Sequence, residues 1–460
     1  MIFFIVVVAI YRLPMNWTVR KLHLLLASYL FYAAWNPPFV ILLWISTAVD
    51  WWAARRLAQN HRKLFVGISL LVNLGMLGFF KYADLALETL QILLVGIGID
   101  YRPPKLDLIL PVGISFYTFQ ALSYTIDVYR GRIPPARSLP DFALYVAFFP
   151  QLVAGPIVRA SSFLPQLISK SRFSVQQLGF GAALLVAGLF EKVVLADGIF
   201  APIADQVYAS PVRAGFLDAW CGTLAFACQI LLDFSGYSTC AIGAALCLGF
   251  NIPRNFHMPY AAIGFSDFWR RWHISLSSWL RDYLYISLGG NRSGALSTRI
   301  NLMIVMLLGG LWHGAAWQFV LWGGIHGLLL IAEMQMLPWI TARTWRRNVV
   351  ARFAAALATF FTVCVAWVPF RATSLVDTRD LLGAMFLGSG ENIELGKQDV
   401  VLAMGVAGLL LVAQWVFREQ DVEKIWAHMP VALRAVVLSV LLLAIIFIAG
   451  EDRAFIYFQF

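Results

Sequence analysis

Charge is what this chain has least of. Only 13% of its 460 residues are Asp, Glu, Lys or Arg, against about 25% in a soluble globular protein. With 60% hydrophobic residues and a mean hydropathy of +0.74, the composition excludes a water-soluble fold and gives an integral membrane protein. Cysteine is also scarce. Cys221, Cys228, Cys240, Cys247 and Cys364 form no Cys-X-X-Cys pair and lie in apolar surroundings, where cysteine acts as a small hydrophobe. Neither a disulfide framework nor a metal site is expected. The chain shows no fixed-period repeat, no low-complexity tract and no soluble domain. Its longest polar stretch, 372–399, reads as a loop with Gly388-Ser-Gly-Glu-Asn at its centre. Secondary transporters often carry matched halves, and none are visible here.

What is present is a series of apolar runs: 22–35, 39–49, 64–80, 108–126, 142–158, 178–190, 219–234, 300–312, 315–331, 349–368, 400–416 and 431–448. A spanning helix needs about 20 mostly apolar residues. Some runs are shorter, so re-entrant or tilted segments are expected among roughly ten to twelve membrane-embedded helices. Residues 1–10 lack a basic leader and a small-residue cleavage site and read as a retained membrane segment. The run is short before Arg12, which leaves a start upstream of Met1 open. The net charge of +10 is read as basic loops on the cytoplasmic face, not as a nucleic-acid footprint. The clusters are Arg55-Arg56 with Arg62-Lys63, the 270–299 stretch, and Arg343, Arg346, Arg347 and Arg352. Arg12, Arg20 and Lys21 follow the first span and would put the N-terminus outside.

From Pro111 to His326, polar and small residues interrupt the apolar runs: Gly113-Ile-Ser-Phe-Tyr, Gln151, Gly155-Pro156, Glu191-Lys192 and Asp233-Phe-Ser-Gly-Tyr. Broken backbone at membrane depth is tolerated only under protein cover or beside a water-filled cavity. The middle of the chain therefore lines a cavity, and the ends pack around it. In Phe268-Trp-Arg-Arg-Trp-His-Ile-Ser-Leu-Ser277, a helix would gather Trp269, Trp272, Leu276 and Trp279-Leu280 into one stripe. Ser266 would cap it, with Asp267 in its first turn. Such a helix suits the membrane interface. With a ligand, Arg270, Arg271, Arg281 and Arg292, beside Trp272, form a basic mouth fit for a polyphosphate such as that of coenzyme A.

His313 sits in Leu307-Leu-Gly-Gly-Leu-Trp-His-Gly-Ala-Ala-Trp317. A neutral imidazole there can take a proton from a hydroxyl attacking a thioester; a core histidine bonded to a carbonyl is the equal alternative. His326 would face another side of an unbroken helix. His23, His61, His257 and His428 read as surface residues. Glu191, Asp233 and Asp127 are candidate functional acids, with helix–helix hydrogen bonding the favoured reading. Glu191 and Lys192, being neighbours, cannot face each other on one helix.

The strings Pro111-Val-Gly-Ile-Ser-Phe-Tyr-Thr-Phe-Gln, Phe148-Phe-Pro-Gln-Leu-Val-Ala-Gly-Pro-Ile, Leu232-Asp-Phe-Ser-Gly-Tyr-Ser, Arg271-Trp-His, Asp282-Tyr-Leu-Tyr-Ile, Leu288-Gly-Gly-Asn-Arg and Gly310-Leu-Trp-His-Gly resemble the membrane-bound O-acyltransferases. Within them the chain resembles the branch of the bacterial alginate O-acetylation proteins. The similarity runs from near Arg20 to the terminal Tyr457-Phe-Gln-Phe. It implies an all-α polytopic domain over 1–460, its catalytic middle about 108–330, with short and tilted helices around a funnel or tunnel. His313 would be the catalytic histidine and His273 a second one across the tunnel. Acetyl-CoA would be the donor, with Arg270, Arg271, Arg281 and Trp272 binding it and no metal. The implied setting is the bacterial inner membrane and its lipids, with a periplasmic acetyltransferase partner and polysaccharide synthesis and export machinery; no nucleic acid is involved. Ser238-Thr239-Cys240 departs from the Ser-Asp-Met common in relatives, which weakens any role for that position. Peptidoglycan O-acetylation, and a transporter or export subunit without covalent chemistry, stay open as alternatives.

Overall fold

The structure, a computed structural model, describes residues 2–57, 61–153, 155–169, 174–341, 348–388, 390, 393, 395–448, 453 and 455, without the side chains of 337–341. The Arg343, Arg346 and Arg347 cluster, Ser389, Glu391 and Asn392, and the terminal Tyr457-Phe-Gln-Phe lie outside the described residues, and the 372–399 stretch expected as a loop holds a helix over Leu375–Leu387. Those described are predominantly helical and contain no strand. The chain is an all-α, multi-pass membrane protein. Eight helical stretches among the described residues are long and apolar enough to cross a bilayer, and 2–11 and 431–447 are apolar but shorter.

Two compact units are formed, one by residues 1–184 and 241–253 and the other by 185–240 and 254–460. The first holds α1 (Ile2–Tyr11), α2 (Trp17–Ala33), α3 (Val40–Arg56), α4 (Arg62–Leu77), α5 (Ala83–Gly96), α6 (Ile114–Tyr129), α7 (Leu139–Ala147), α8 (Phe149–Leu152), α9 (Ala160–Ile168) and most of α10 (Val175–Leu189). Apolar runs 108–126 and 142–158 become short segments instead of single spans. Residues 99–111 are not helical, and α7 gives way to α8 just before Pro150. Proline cannot donate its missing N–H to a helix. Aromatic rings fill the interior, with Phe163 5.1 Å from Phe148 and stacked 5.4 Å from Phe250. Asp50 of α3 is fully buried. Its Oδ1 accepts from Ser69 and, at 2.6 Å, from Thr125, and its Oδ2 accepts from Asn73 at 2.7 Å. Three helices are thereby tied at a carboxylate both of whose oxygens accept hydrogen bonds.

The second unit holds α11 (Ala201–Tyr208), most of α12 (Phe216–Cys247), α13 (Phe265–Arg271), α14 (Ile274–Trp279), α15 (Gly294–His313), α16 (Trp317–Thr341), α17 (Val349–Arg371), α18 (Leu375–Leu387), α19 (Lys397–Val416), α20 (Val422–His428) and α21 (Val431–Phe447). A π-helical stretch at 190–200 widens the chain after α10. There Lys192 Nζ lies 2.8 Å from Asp197 and also contacts Asp233, while Ser235 donates to Glu191 at 2.5 Å. Glu191 and Lys192 thus turn to different partners, and Glu191 and Asp233 act in interhelical bonding as expected. In the first unit, Asp127 instead pairs locally with Arg132, 3.2 Å away.

The apolar run through His313 breaks at Gly314-Ala315-Ala316, and α15 and α16 fold back as a hairpin. Their backbones touch at Gly310 and Gly323. A Cβ on Gly310 would stand 2.1 Å from the Phe319 carbonyl oxygen, and one on Gly323 2.3 Å from that of Met306. Small residues allow this approach where helices pack in lipid. Gly310→Ala should cost about 1–3 kcal/mol by overpacking. Gly324→Ala, whose Cβ would meet Leu307 at an ordinary 3.6 Å, should be close to neutral. Thermal unfolding of the two variants in detergent checks this; equal melting temperatures would refute the backbone contact.

Candidate active site

The expected continuous helix through Trp269 and Trp279 is broken. α13 ends at Arg271, and His273 turns the chain with φ of +43° before α14. Ser266 lies inside α13, whose N-cap is Gly264. Ser266 N donates instead to Glu333 of α16 at 2.8 Å. Left-handed backbone is costly for a bulky residue and persists only where surroundings hold it. Asn255 does the holding. Its Oδ1 accepts from Ser275 N at 3.2 Å and Ser275 Oγ at 2.8 Å, its carbonyl accepts from Ile274 N at 2.8 Å, and its Nδ2 donates to Ser238 Oγ at 3.2 Å. Ser238, from the string that departs from the relatives, therefore has a structural task through its hydroxyl.

His273 is fully buried. Its Nδ1 accepts from Leu276 N at 3.3 Å, which places the ring proton on Nε2. Burial pushes its pKa down from 6.5 to about 3, because an imidazolium taken out of water loses its hydration. The ring lies 4.6 Å from Phe234, 5.9 Å from Trp312 and 6.3 Å from His313, centre to centre.

His313, the last residue of α15, is only 3% exposed. Trp312, Trp322 and Phe370 stand edge-on to it at 5.0, 5.1 and 5.4 Å. Trp322 stacks on Trp367 at 5.6 Å and also meets His326 at 4.8 Å. His313 and His326 thus share a neighbour because the helix between them is broken, which the unbroken-helix geometry could not anticipate. Neither ring nitrogen of His326 has a hydrogen-bond partner among the described residues. Phe268 stacks on that ring at 5.9 Å.

The four residues expected to bind a donor divide into two pairs. Arg270 and Arg281 are exposed; Arg270 donates to Ser266 Oγ at 2.8 Å and Arg281 pairs with Asp282 at 2.7 Å. Arg271 is buried against Asp267 at 2.9 Å and the Arg418 carbonyl at 3.0 Å. Trp272 is fully buried, stacked on Phe268 at 5.6 Å and packed 5.0 Å from Trp367. Asp267 also takes Arg418 at 2.8 Å. Burial alone would raise the Asp267 pKa, but the Ile263 N–H and the two arginines outweigh it and hold the carboxyl below its usual range. Of the remaining histidines, His61 and His428 are exposed, while His23 and His257 are half-buried, His23 lying 3.1 Å from the Val7 carbonyl.

Two imidazole rings, an aromatic enclosure and a restrained turn can hold a reacting group in fixed orientation away from water. The sequence strings find their counterpart in the comparison with known proteins. A family model of the membrane-bound O-acyltransferases matches residues 134–368. The chain is 41% identical over 399 residues to a probable alginate O-acetylase AlgI of Azotobacter vinelandii, covering 85% of this chain and 78% of that one. It is 37% identical over 395 residues to a peptidoglycan O-acetyltransferase of Helicobacter pylori, covering 79% and 73%. With a teichoic acid D-alanyltransferase of Bacillus subtilis the identity is 26%, covering 59% and 70%.

This chain belongs to the membrane-bound O-acyltransferase family.

It is accordingly an acyltransferase of the membrane. Trp322, Trp367, Phe370, Phe234 and Asn255 were not singled out in the sequence. Phe234 lies inside a string that was, Asp233-Phe-Ser-Gly-Tyr. Nothing local marks the others, because their role comes from long-range packing.

Asn255→Ala removes the acceptor of the Ser275 amide and hydroxyl inside the unit, a loss of about 1–3 kcal/mol. Transfer activity should fall with it as the His273 turn loosens. Unchanged thermal stability would refute the restraint. His273 also carries a pH dependence. Unfolded, it binds a proton near pH 6.5, and folded only near 3, so acid favours the unfolded chain between those values. Its neutral form contributes stability above pH 6.5 that is lost as pH falls toward 3. The melting temperature of His273→Asn, relative to that of the wild-type protein, should therefore rise as pH is lowered from 7.5 to 4.5; a constant difference would count against a buried neutral ring.

Proposed function

We propose that this protein is an O-acetyltransferase of the bacterial inner membrane, passing acetyl groups from cytosolic acetyl-CoA toward an exopolysaccharide of the alginate kind. The observation that carries the reading is the placement of the His313 and His273 rings 6.3 Å apart within one aromatic enclosure, in a chain of this family. The whole of 1–460 is read as one acyltransferase domain around a tunnel, its catalytic middle about 108–330.

In this reading His313 takes the proton from an acceptor hydroxyl. The oxygen forms a bond to the acetyl carbonyl carbon, the carbon–sulfur bond breaks, and the departing thiolate recovers the proton from the imidazolium. His273, its Nδ1 engaged by the Leu276 amide, presents its Nε2 side toward the reacting group and orients it. Arg270 and Arg281 meet the donor phosphates, and Arg271 and Trp272 build the wall behind them. An acetylated periplasmic transferase would then hand the group to the polysaccharide, which places the choice of sugar with the partner. Peptidoglycan is the second acceptor to consider, supported by the similarity to the Helicobacter protein.

Chromosomal His313→Ala should leave a membrane-inserted, monodisperse protein while ester-linked acetate on isolated exopolysaccharide falls by about 100-fold or more. Loss from peptidoglycan alone would transfer the assignment to the cell wall. Acetylation at the wild-type level on both polymers would remove His313 from the mechanism and return the transporter reading.

A further inference from the structure

One end of the first unit carries a feature that acetyl transfer does not use. At the C-terminal end of α3, where the 37–56 span finishes, Trp51, Trp52, Arg55 and Arg56 line a cleft of about 350 Å³. The Arg55 guanidinium lies 4.8 Å from the centre of the Trp51 ring. Trp52 is held edge-on against Phe65 of α4 at 5.3 Å. The cleft is thus a shaped pairing of two cations and two indoles.

Its surroundings reinforce the charge. Arg62 and Lys63 occupy the first turn of α4, which contains no acid. A helix N-terminus is the positive end of the dipole and favours anions, so two cations there are unfavourably placed unless an anion joins them. Arg62 donates to the Tyr129 carbonyl at 2.6 Å, which brings the end of α6 and its following arginines to the same face. Of these, Arg132 is paired with Asp127, whereas Arg137 presents its backbone carbonyl to Arg55 at 3.5 Å. The tendency of basic loops to stay cytoplasmic accounts for cations at this end. It does not account for a cleft with a guanidinium stacked on an indole.

We propose that this cleft binds the phosphodiester headgroup of an anionic phospholipid. Guanidinium pairs with phosphate oxygens in a fork, and indoles favour the boundary between headgroup and acyl chain. Trp52, 40% exposed in the cleft lining, gives the acyl chains an apolar path that a soluble phosphate would not use. The site is independent of the acetyl-transfer reading and stands or falls without it.

The test uses the full chain in phosphatidylcholine nanodiscs, titrated with phosphatidylglycerol and read by melting temperature and by native mass spectrometry of retained lipid. Wild type and Arg102→Gln, which removes an exposed cation elsewhere in the unit, should be stabilised alike. Arg55→Gln with Arg56→Gln should need roughly tenfold more phosphatidylglycerol for the same shift, given the attraction of each basic residue to an anionic surface. Arg55→Lys with Arg56→Lys, which keeps the charge and loses the fork and the stack, should fall between and serves if the glutamine pair does not fold. Wild-type affinity in both double variants would overturn the proposal. Equal stabilisation by inorganic phosphate, or displacement of the lipid by it, would assign the cleft to a soluble anion and overturn the lipid.

Discussion

The backbone contact between α15 and α16 is the constraint on which the site depends. His313 ends α15, and Trp322 lies one turn beyond Phe319 on α16. With no side chain on Gly310 or Gly323, the two helices come close enough for the Trp322 ring to stand 5.1 Å from His313. Trp367 and Phe370 of α17 then close around the same indole. A methyl group at the crossing would push the hairpin apart and with it every ring in the enclosure, since packed interiors absorb little displacement.

Several polar groups in the two units follow one rule with different outcomes. In an apolar medium an unmatched donor or acceptor is costly, and three sets of charged side chains are closed on themselves. Asp50 is satisfied by hydroxyl and amide donors from two other helices, Lys192 sits between two carboxylates, and Asp267 is held by Arg271 and Arg418. These sets fix helix positions. His273 differs in kind. Its αL turn is held through Asn255, and its ring faces aromatics and the second histidine.

The same rule explains the shape of the basic segment. One helix through Trp269 and Trp279 would have turned an indole stripe to a single face. Breaking it at His273 instead buries Trp272 in the unit and leaves Arg270 and Arg281 exposed. The break is tolerated because Asn255 meets the amide of Ile274 and both donors of Ser275.

Much of this protein was legible before any coordinate. Scarce charge and long apolar runs require helices, because an unsatisfied backbone is intolerable in lipid. The histidine-bearing strings identified the family, and with it the class of reaction. The break at His273 was not legible, since an apolar-aromatic stripe fits a continuous helix as well as two short ones. Nor were the roles of Asn255, Trp367 and Phe370, or the sharing of Trp322 by His313 and His326. Local sequence carries periodicity and residue chemistry, and these determined membrane, helix and family. Which rings surround which histidine was decided only by tertiary packing, because those contacts join residues far apart in the chain whose proximity no local pattern records.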